Sequence, residues 1–408
     1  LKENKMDIIL KNPILNDEYT EYVYNTFDIQ NREETISTIK NNINLEGNWN
    51  VGVIYGGSGS GKTTILKEIS TLEKDPNFDE DKPLISNYEW MSPQEATQLL
   101  SAVGLGSVPT WLRPYRLLSN GEQYRARVAY TLGYPTEDGQ VIGIDEYTSV
   151  VDRNVALSMS FAVQKYIRKM NKRVVLASCH SDILDWLMPD WTYSPIVGQV
   201  ETPECLRRPE ISLQIHRTTY DTWHLFKSHH YLTEDVSKAC KFYLFTWNDV
   251  PVGINCVIPQ PSGWFKHGFR ESRIVVLPDF QGLGLGVKMS EITGSMYTAV
   301  GYRYFTKTVH PALGEYRNNH PELWKPTSKN GVSDAKSLGK HSYTSWNLKA
   351  RKSYCHEYAG QPMDLDDTGF ILKSTKQYKD ESILRTLPTS VRETTGNERH
   401  GDITKVRL

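Results

Sequence analysis

The chain has 408 residues with nearly balanced charge, 47 Lys and Arg against 48 Asp and Glu, and 38% apolar residues. That length fits two or three domains with real apolar cores. The charge balance excludes a uniformly basic histone-like binder and an acidic disordered chain, while leaving room for a local basic groove.

No stretch approaches the roughly 20 apolar residues of a membrane span. Leu1–Leu10 carry charges and lack the apolar core of an export signal. Cys179, Cys205, Cys240, Cys256 and Cys355 form no C-x-x-C pair. Such a scattered, odd set reads as reduced thiols of a cytoplasmic protein. No membrane partner is expected.

Residues up to about Gly47 form a mixed prelude with weak helix signals. From Trp49 the text becomes apolar strand, glycine loop, helix. Strand-like runs recur at Val51–Tyr55, Val141–Ile144 and Val174–Ala177 with helical stretches between them, which predicts an α/β domain on a largely parallel sheet. A Pro-, Gly- and Arg-bearing stretch from Tyr193 to Pro209 marks a domain junction. Beyond it, Ile211–Arg217 reads as strand and Tyr220–Tyr231 as helix. Phe242–Trp247 and Val252–Ile258 read as a hairpin turning at Asn248-Asp249, and Arg273–Leu277 as strand. Gly284–Val300 reads as helix and Tyr302–Val309 as strand. The predicted domains are 1–200, 201–330 and a partly ordered extension, 331–408. Val391–Leu408 is expected to need a partner for order.

Gly56-Gly57-Ser58-Gly59-Ser60-Gly61-Lys62-Thr63 matches G-x-x-x-x-G-K-[ST] between a strand and the Thr64–Ser70 helix. Glycines let backbone N–H groups turn toward phosphate oxygens, and the helix start adds its dipole. Lys62 suits the outer phosphates, and Thr63 suits Mg²⁺. Val141-Ile142-Gly143-Ile144-Asp145-Glu146 is an apolar strand ending in two carboxylates. Asp145 suits the Mg²⁺ shell, and Glu146 suits orienting or deprotonating water.

Leu118-Ser119-Asn120-Gly121-Glu122-Gln123 precedes that strand, Ser149–Asp152 follows it, and His180 ends the next strand. In this order the segment from Trp49 to Trp191 resembles the ABC-type ATPases, with Asn120 standing where the commonest signature has glycine. The resemblance implies ATP and Mg²⁺ bound at Gly56–Thr63 and Thr64. It implies Glu146 and His180 as catalytic residues, and a head-to-tail homodimer in which Ser119, Gly121 and Gln123 face the opposite subunit's nucleotide. Asp152 would lie at the dimer contact. Gln94 is the candidate for the glutamine that senses nucleotide, with Gln98 as the alternative. Tyr24 and Phe27 are candidates for stacking on adenine.

A second phosphate-type loop, Gln281-Gly282-Leu283-Gly284-Leu285-Gly286, follows the run Arg273–Pro278. It resembles motif A of the GNAT acyltransferases, which implies acetyl-CoA or another acyl-CoA held at Gln281, Gly282, Gly284 and Gly286. The resemblance covers about Ile211 to Pro326, an α/β acyltransferase domain following the ATPase. Proton-handling candidates are His230 and Tyr231, then His310, with Glu271 a further option. A zinc site from His229, His230 and His310 lacks ligand spacing.

The whole chain resembles a family of bacterial, archaeal and phage ABC-type ATPases fused to a predicted GNAT domain, carried also by Trp111–Tyr115, Cys179–Trp186, His229–Leu232 and His310–Leu313. An ATP-driven clamp suits a long polymer, so nucleic acid is the expected partner and a DNA or RNA base the expected acceptor. A protein or small-molecule amine is the alternative, as is a binding module with an inactive acyl site. Arg303, Lys307, Arg317, Lys325, Lys329, Lys336, Lys340, Lys349, Arg351 and Lys352 interleave with Tyr302, Tyr304, Tyr316, Trp324, Tyr343, Trp346 and Tyr354. They form a candidate strand-binding groove, with a solvated surface over a core as the competing reading.

Overall fold

The computed structural model describes residues 7–30, 33–72, 75–203, 206, 209–230, 235–263, 265–332 and 352–364, and the backbone of 404–407. The chain divides into two compact units, with the change-over at Pro209–Glu210.

In the first unit, β1 (Ile8–Pro13) and β2 (Glu34–Ile39) pair antiparallel around α1 (Glu18–Phe27). The prelude therefore holds strands that its composition did not announce, because both are largely exposed and only Ile8–Leu10 is continuously apolar. The main sheet contains β3 (Val51–Tyr55), β4 (Thr71–Leu72), β5 (Val141–Ile144), β6 (Arg173–Ser178), β7 (Trp191–Ser194) and β8 (Gln199–Glu201) in the order β4-β5-β6-β3-β7-β8. All neighbours are parallel except β7 and β8. The inner strands are buried along almost their whole length, which is why they read as unbroken apolar runs. The helices are α2 (Lys62–Ile69), α3 (Pro93–Ala102), α4 (Val108–Trp111), α5 (Asn120–Gly133), α6 (Arg153–Lys169) and α7 (Leu184–Leu187).

The second unit is one eight-stranded sheet. It comprises β9 (Ser212–Thr218), β10 (Lys241–Trp247), β11 (Val250–Pro259), β12 (Gly268–Val276), β13 (Arg303–Thr308), β14 (Trp324–Pro326), β15 (Tyr354–Tyr358) and β16 (Thr404–Arg407). The order is β14-β15-β13-β12-β11-β10-β9-β16. All pairs are antiparallel except β12 with β13. α8 (Leu285–Ala299) and α9 (Pro311–Asn318) complete it. Asn248 and Asp249 both hold positive φ, 49° and 63°, as a two-residue hairpin turn requires.

Two expectations are corrected. Tyr220–Tyr231 is not an α-helix but two short 3-10 turns, Tyr220–Leu225 and Lys227–His229. The three-residue spacing of the buried Trp223 and Phe226 suits a 3-10 repeat, and both rings enter one apolar cluster with Phe242, Leu244 and Ile254. Tyr354–Tyr358, expected in a separate extension, instead forms β15 between β13 and β14. Thr404–Arg407 pair with β9, while the rest of Val391–Leu408 lies outside the described residues.

Two buried histidines make this second unit acid-sensitive. His216 shares a hydrogen bond with the Thr246 hydroxyl (3.0 Å), and His356 with Asn318 Oδ1 (2.8 Å). Burial is the main cause holding both near pKa 4, with Arg317 adding to the effect at His356. The charged form is therefore disfavoured in the fold relative to the unfolded chain at about 6.5. The unfolded chain binds more protons between these values, so stability is full above pH 6.5 and falls as pH drops toward 4. Thermal unfolding across that window should show a falling midpoint, and His216→Gln should flatten the slope.

Candidate functional site

In the first unit, β5, β6 and β3 are adjacent and parallel, so their carboxyl ends bring together three sequence motifs. After β3 the Gly56–Thr63 loop turns into α2. Gly61 caps that helix at φ 93°, a left-handed conformation that favours glycine, and a Cβ there would press on Ile39. Lys62 folds back over the loop, its Nζ donating to the Gly56 and Gly57 carbonyls at 2.8 Å each. The buried Ser60 hydroxyl has no partner among the described residues.

After β5, Asp145 Oδ1 accepts the Glu146 N–H (2.9 Å), and Glu146 turns outward at φ 48°. The following Tyr147 is fully buried, and its N–H donates to the Ala177 carbonyl (2.7 Å). The Ser178 hydroxyl donates to the Tyr147 carbonyl (2.9 Å) and accepts the His180 N–H (3.1 Å). The Ser178 carbonyl accepts the Gly56 N–H (3.3 Å). One buried serine thus joins the phosphate-type loop, the carboxylate turn and His180. Tyr124 of α5 adds a fourth strut, its hydroxyl accepting the Thr148 N–H (3.0 Å). Sequence reasoning passed over Ser178, Tyr147 and Tyr124. The available signal was a small hydroxyl residue closing an apolar strand.

The Leu118–Gln123 segment starts α5. Ser119 is its N-cap in a reciprocal capping box with Glu122. Burial acts to raise the Glu122 pKa, but the Ser119 N–H and hydroxyl and nearby Arg113 outweigh it and hold the carboxyl below its usual value. Gln123 Nε2 donates to the Tyr115 and Leu118 carbonyls, and Asp152 caps α6. Gly121 lies beside Val151.

Gln94 is not brought to the phosphate-type loop. It sits in the first turn of α3, whose Glu95 and Gln98 line a cavity of about 590 Å³ with Trp49, Gln140 and Arg173. Those last three mark the starts of β3, β5 and β6, the opposite edge of the sheet, so the alternative Gln98 is misplaced too. α1 has no buried residue and Phe27 is exposed, so the adenine-stacking assignment of Tyr24 and Phe27 finds no enclosed pocket there.

In the second unit, β12 and β13 pair only through Gly268–Arg270 and Arg303–Phe305. Past that point β12 skips a residue in its register with β11, where Cys256 opposes Arg273 and Val257 opposes Glu271. The two strands then part toward their carboxyl ends. The Gln281–Gly286 loop and the start of α8 follow β12, and His310 follows β13. Gly284 caps α8 at φ 80°, and a Cβ there would meet nothing within 4 Å, which leaves room above the helix start. The Gln281 amide turns back to donate to the Val276 carbonyl (2.9 Å), and its buried Oε1 has no partner among the described residues.

The proton-handling candidates separate. His310 precedes α9. Burial lowers its pKa, and its Nδ1 is buried without a partner among the described residues. His230 instead packs near Trp223, on the sheet face away from α8 and α9. Tyr231 lies outside the described residues. Glu271 is ruled out as a base because its carboxylate is buried and engaged. It accepts from Arg317 (3.1 Å), Ser290 (2.7 Å) and Tyr304 (3.1 Å). A neighbouring Tyr316 hydroxyl donates to Glu291 (2.8 Å), and burial first, then Glu291, raises its pKa. Among the described residues no three metal-ligating side chains cluster, so the histidine zinc site finds no support. No helix among them is long and apolar enough to cross a membrane.

The proposed groove is also corrected. Tyr304, Arg317, Trp324 and Tyr354 are core residues, and Lys336, Lys340, Tyr343, Trp346, Lys349 and Arg351 lie outside the described residues. Lys307, Lys325, Lys329 and Lys352 are exposed.

No protein-family model matches the chain, and no curated protein matches it. Among solved structures, the dimeric post-hydrolysis state of the ATP-binding cassette MJ0796 bound to ADP and Pi is 17% identical. It covers 42% of this chain and 94% of that one, with a TM-score of 0.33. The dimeric structure of MJ0796 described as a bacterial ABC transporter cassette is also 17% identical. It covers 41% of this chain and 92% of that one, with a TM-score of 0.31.

The Glu271–Arg317 pair sets a stability test. Arg317→Ala strands a buried carboxylate and should cost about 3–5 kcal/mol in denaturant unfolding of the second unit. Replacing both partners with Met should cost less than the single change.

Proposed function

We propose that the chain is an ATP-hydrolysing enzyme of the ABC type whose second unit transfers an acyl group from acyl-CoA to a base of DNA or RNA. The observation that carries the ATPase reading is the meeting of Gly56–Thr63, Asp145–Glu146 and His180 at the ends of three adjacent parallel strands, tied through Ser178. Crevices at the carboxyl ends of such strands are where ligands bind in open α/β sheets. The donor set fits a nucleotide: backbone N–H groups at a helix start, one lysine able to leave two carbonyls, and an unpartnered Ser60 hydroxyl. Thr63 and Asp145 are the oxygen ligands for Mg²⁺, which would offset charge on the transferred phosphoryl group. Glu146, solvent-facing at the strand end, orients or deprotonates the attacking water, and His180 contacts the outer phosphate.

For the second unit, the parted β12 and β13 and the open space over Gly284 fit a pantetheine chain and its pyrophosphate, with the GNAT likeness of Gln281–Gly286 in support. Acyl-CoA supplies an activated thioester. His310, held neutral by burial, takes the proton as the acceptor amine attacks the thioester carbonyl, and returns it to the CoA thiolate that leaves when the C–S bond breaks. A thioester needs no ATP to acylate a free amine. An ATP requirement points instead to an acceptor that must be captured, and a base hidden in a stack is such an acceptor. A head-to-tail pairing of two chains is the arrangement by which the Ser119 helix start of one serves the nucleotide of the other.

Three outcomes test this reading. Glu146→Gln should retain ATP while blocking hydrolysis, and sizing with ATP and Mg²⁺ should show a dimer. A persistent monomer counts against the paired site. Gly284→Glu should lose acyl-CoA binding in calorimetry, since the side chain fills the space over the helix start. Labelled acyl-CoA should mark DNA or RNA with the native chain but not with Lys62→Ala. Label entering only protein or free amines, equally without ATP, sinks the nucleic-acid reading.

A further inference from the structure

At the end of the second unit's sheet where β12 and β13 begin, aromatic rings are laid face to face. His267 stacks on Tyr302 (centroids 5.3 Å, planes 22° apart), Tyr302 on Phe269 (5.1 Å, 29°), and Phe269 packs on the buried Tyr297 (4.8 Å). Phe265 stacks on Phe305 (5.1 Å, 28°), with the Arg303 guanidinium 4.6 Å from the Phe265 centroid. The first ladder runs from the core outward and ends at His267, which is exposed. His267 holds φ 60°, a left-handed conformation that costs free energy for a residue with a side chain. The Arg303 N–H pins its carbonyl (3.1 Å).

Cations surround these rings. Lys241 Nζ lies 5.0 Å from the Phe269 centroid and 5.8 Å from that of Tyr297. Burial first, then Arg217, lowers its pKa to about 8, so it stays mostly charged at neutral pH. Lys266, next to His267 in the chain, is exposed and meets no carboxylate among the described residues, while Arg270 opposes Ile258 on the other face of the sheet. The acid at this edge, Glu357, is held by Arg303 at 2.6 Å through both oxygens.

We propose that this edge binds single-stranded nucleic acid, with a base stacked on the outer face of His267 and the adjacent phosphate on Lys266. This rests on the nucleic-acid reading above and names its surface. Every base offers a π-face, so a ring ladder open at one end accepts any sequence, while a duplex hides those faces. An acidic polypeptide would use the cations but gives no account of an exposed ring presented from a strained backbone.

The test is fluorescence anisotropy of the full chain with labelled oligothymidylate, oligouridylate and a duplex of equal length. Single strands should bind more tightly than the duplex, and added salt should weaken binding. His267→Gly removes the ring while relaxing the left-handed backbone, so it should weaken binding about tenfold with no loss of melting temperature. Lys266→Glu should also weaken binding and lower the salt slope by about one. Tight oligonucleotide binding untouched by either variant overturns the surface but leaves the nucleic-acid reading standing. No binding of any oligonucleotide by the native chain overturns both. Displacement by polyglutamate with indifference to His267→Gly reassigns the edge to an acidic protein and overturns the proposal.

Discussion

Ser178 has two polar groups with a free choice of partner, and both are spent on the ends of neighbouring strands. Its carbonyl takes Gly56, while its hydroxyl takes His180 and gives to Tyr147. In a fully buried position these groups cannot turn to water, so each bond fixes the segment at its other end. The phosphate-type loop, the carboxylate turn and His180 are hence one rigid set. Loosening any one leaves a buried polar group unsatisfied, at about 1–3 kcal/mol.

The second unit solves a different problem. A parallel pair inside an otherwise antiparallel sheet has to end somewhere, and here it ends after three residues, beside the register skip in β12. The parting strands are braced from one face. Glu271 on β12, Tyr304 on β13, Ser290 on α8 and Arg317 on α9 share one hydrogen-bond network. The same carboxylate that looked like a base from its position in the sequence is what keeps the opening at fixed width. Its partners lie on α8, β13 and α9, so the buried carboxylate serves as a brace between elements.

Much of this was legible in residue order. The inner strands of the first sheet announced themselves as unbroken apolar runs, and glycine-rich turns marked both helix starts. The Asn248-Asp249 pair marked its hairpin. Four kinds of feature stayed hidden. β1 and β2 are exposed on most of their residues and have no apolar period to detect. Which sheet edge a helix reaches does not show in spacing along the chain, and α3 carries Gln98 to the edge where β3, β5 and β6 begin. A list of Lys, Arg and Tyr cannot distinguish surface from core, and Arg317, Trp324 and Tyr354 proved to be core. The exposed ladder at His267 uses residues from a strand, a helix and the turns leading into β12 and β13, so its rings are neighbours in space while lying up to about 35 residues apart in the chain.

β9 has β10 on one side and β16 on the other, and β16 comes about 190 residues later. At a synthesis rate of roughly 5–20 residues per second, that edge stays bare for about 10–40 s while the chain is made. A strand with open N–H and C=O groups is a template for any passing strand, including one from a neighbouring nascent chain. Closing it also joins distant segments, which slows folding. Assembly of this unit is therefore timed by Thr404–Arg407.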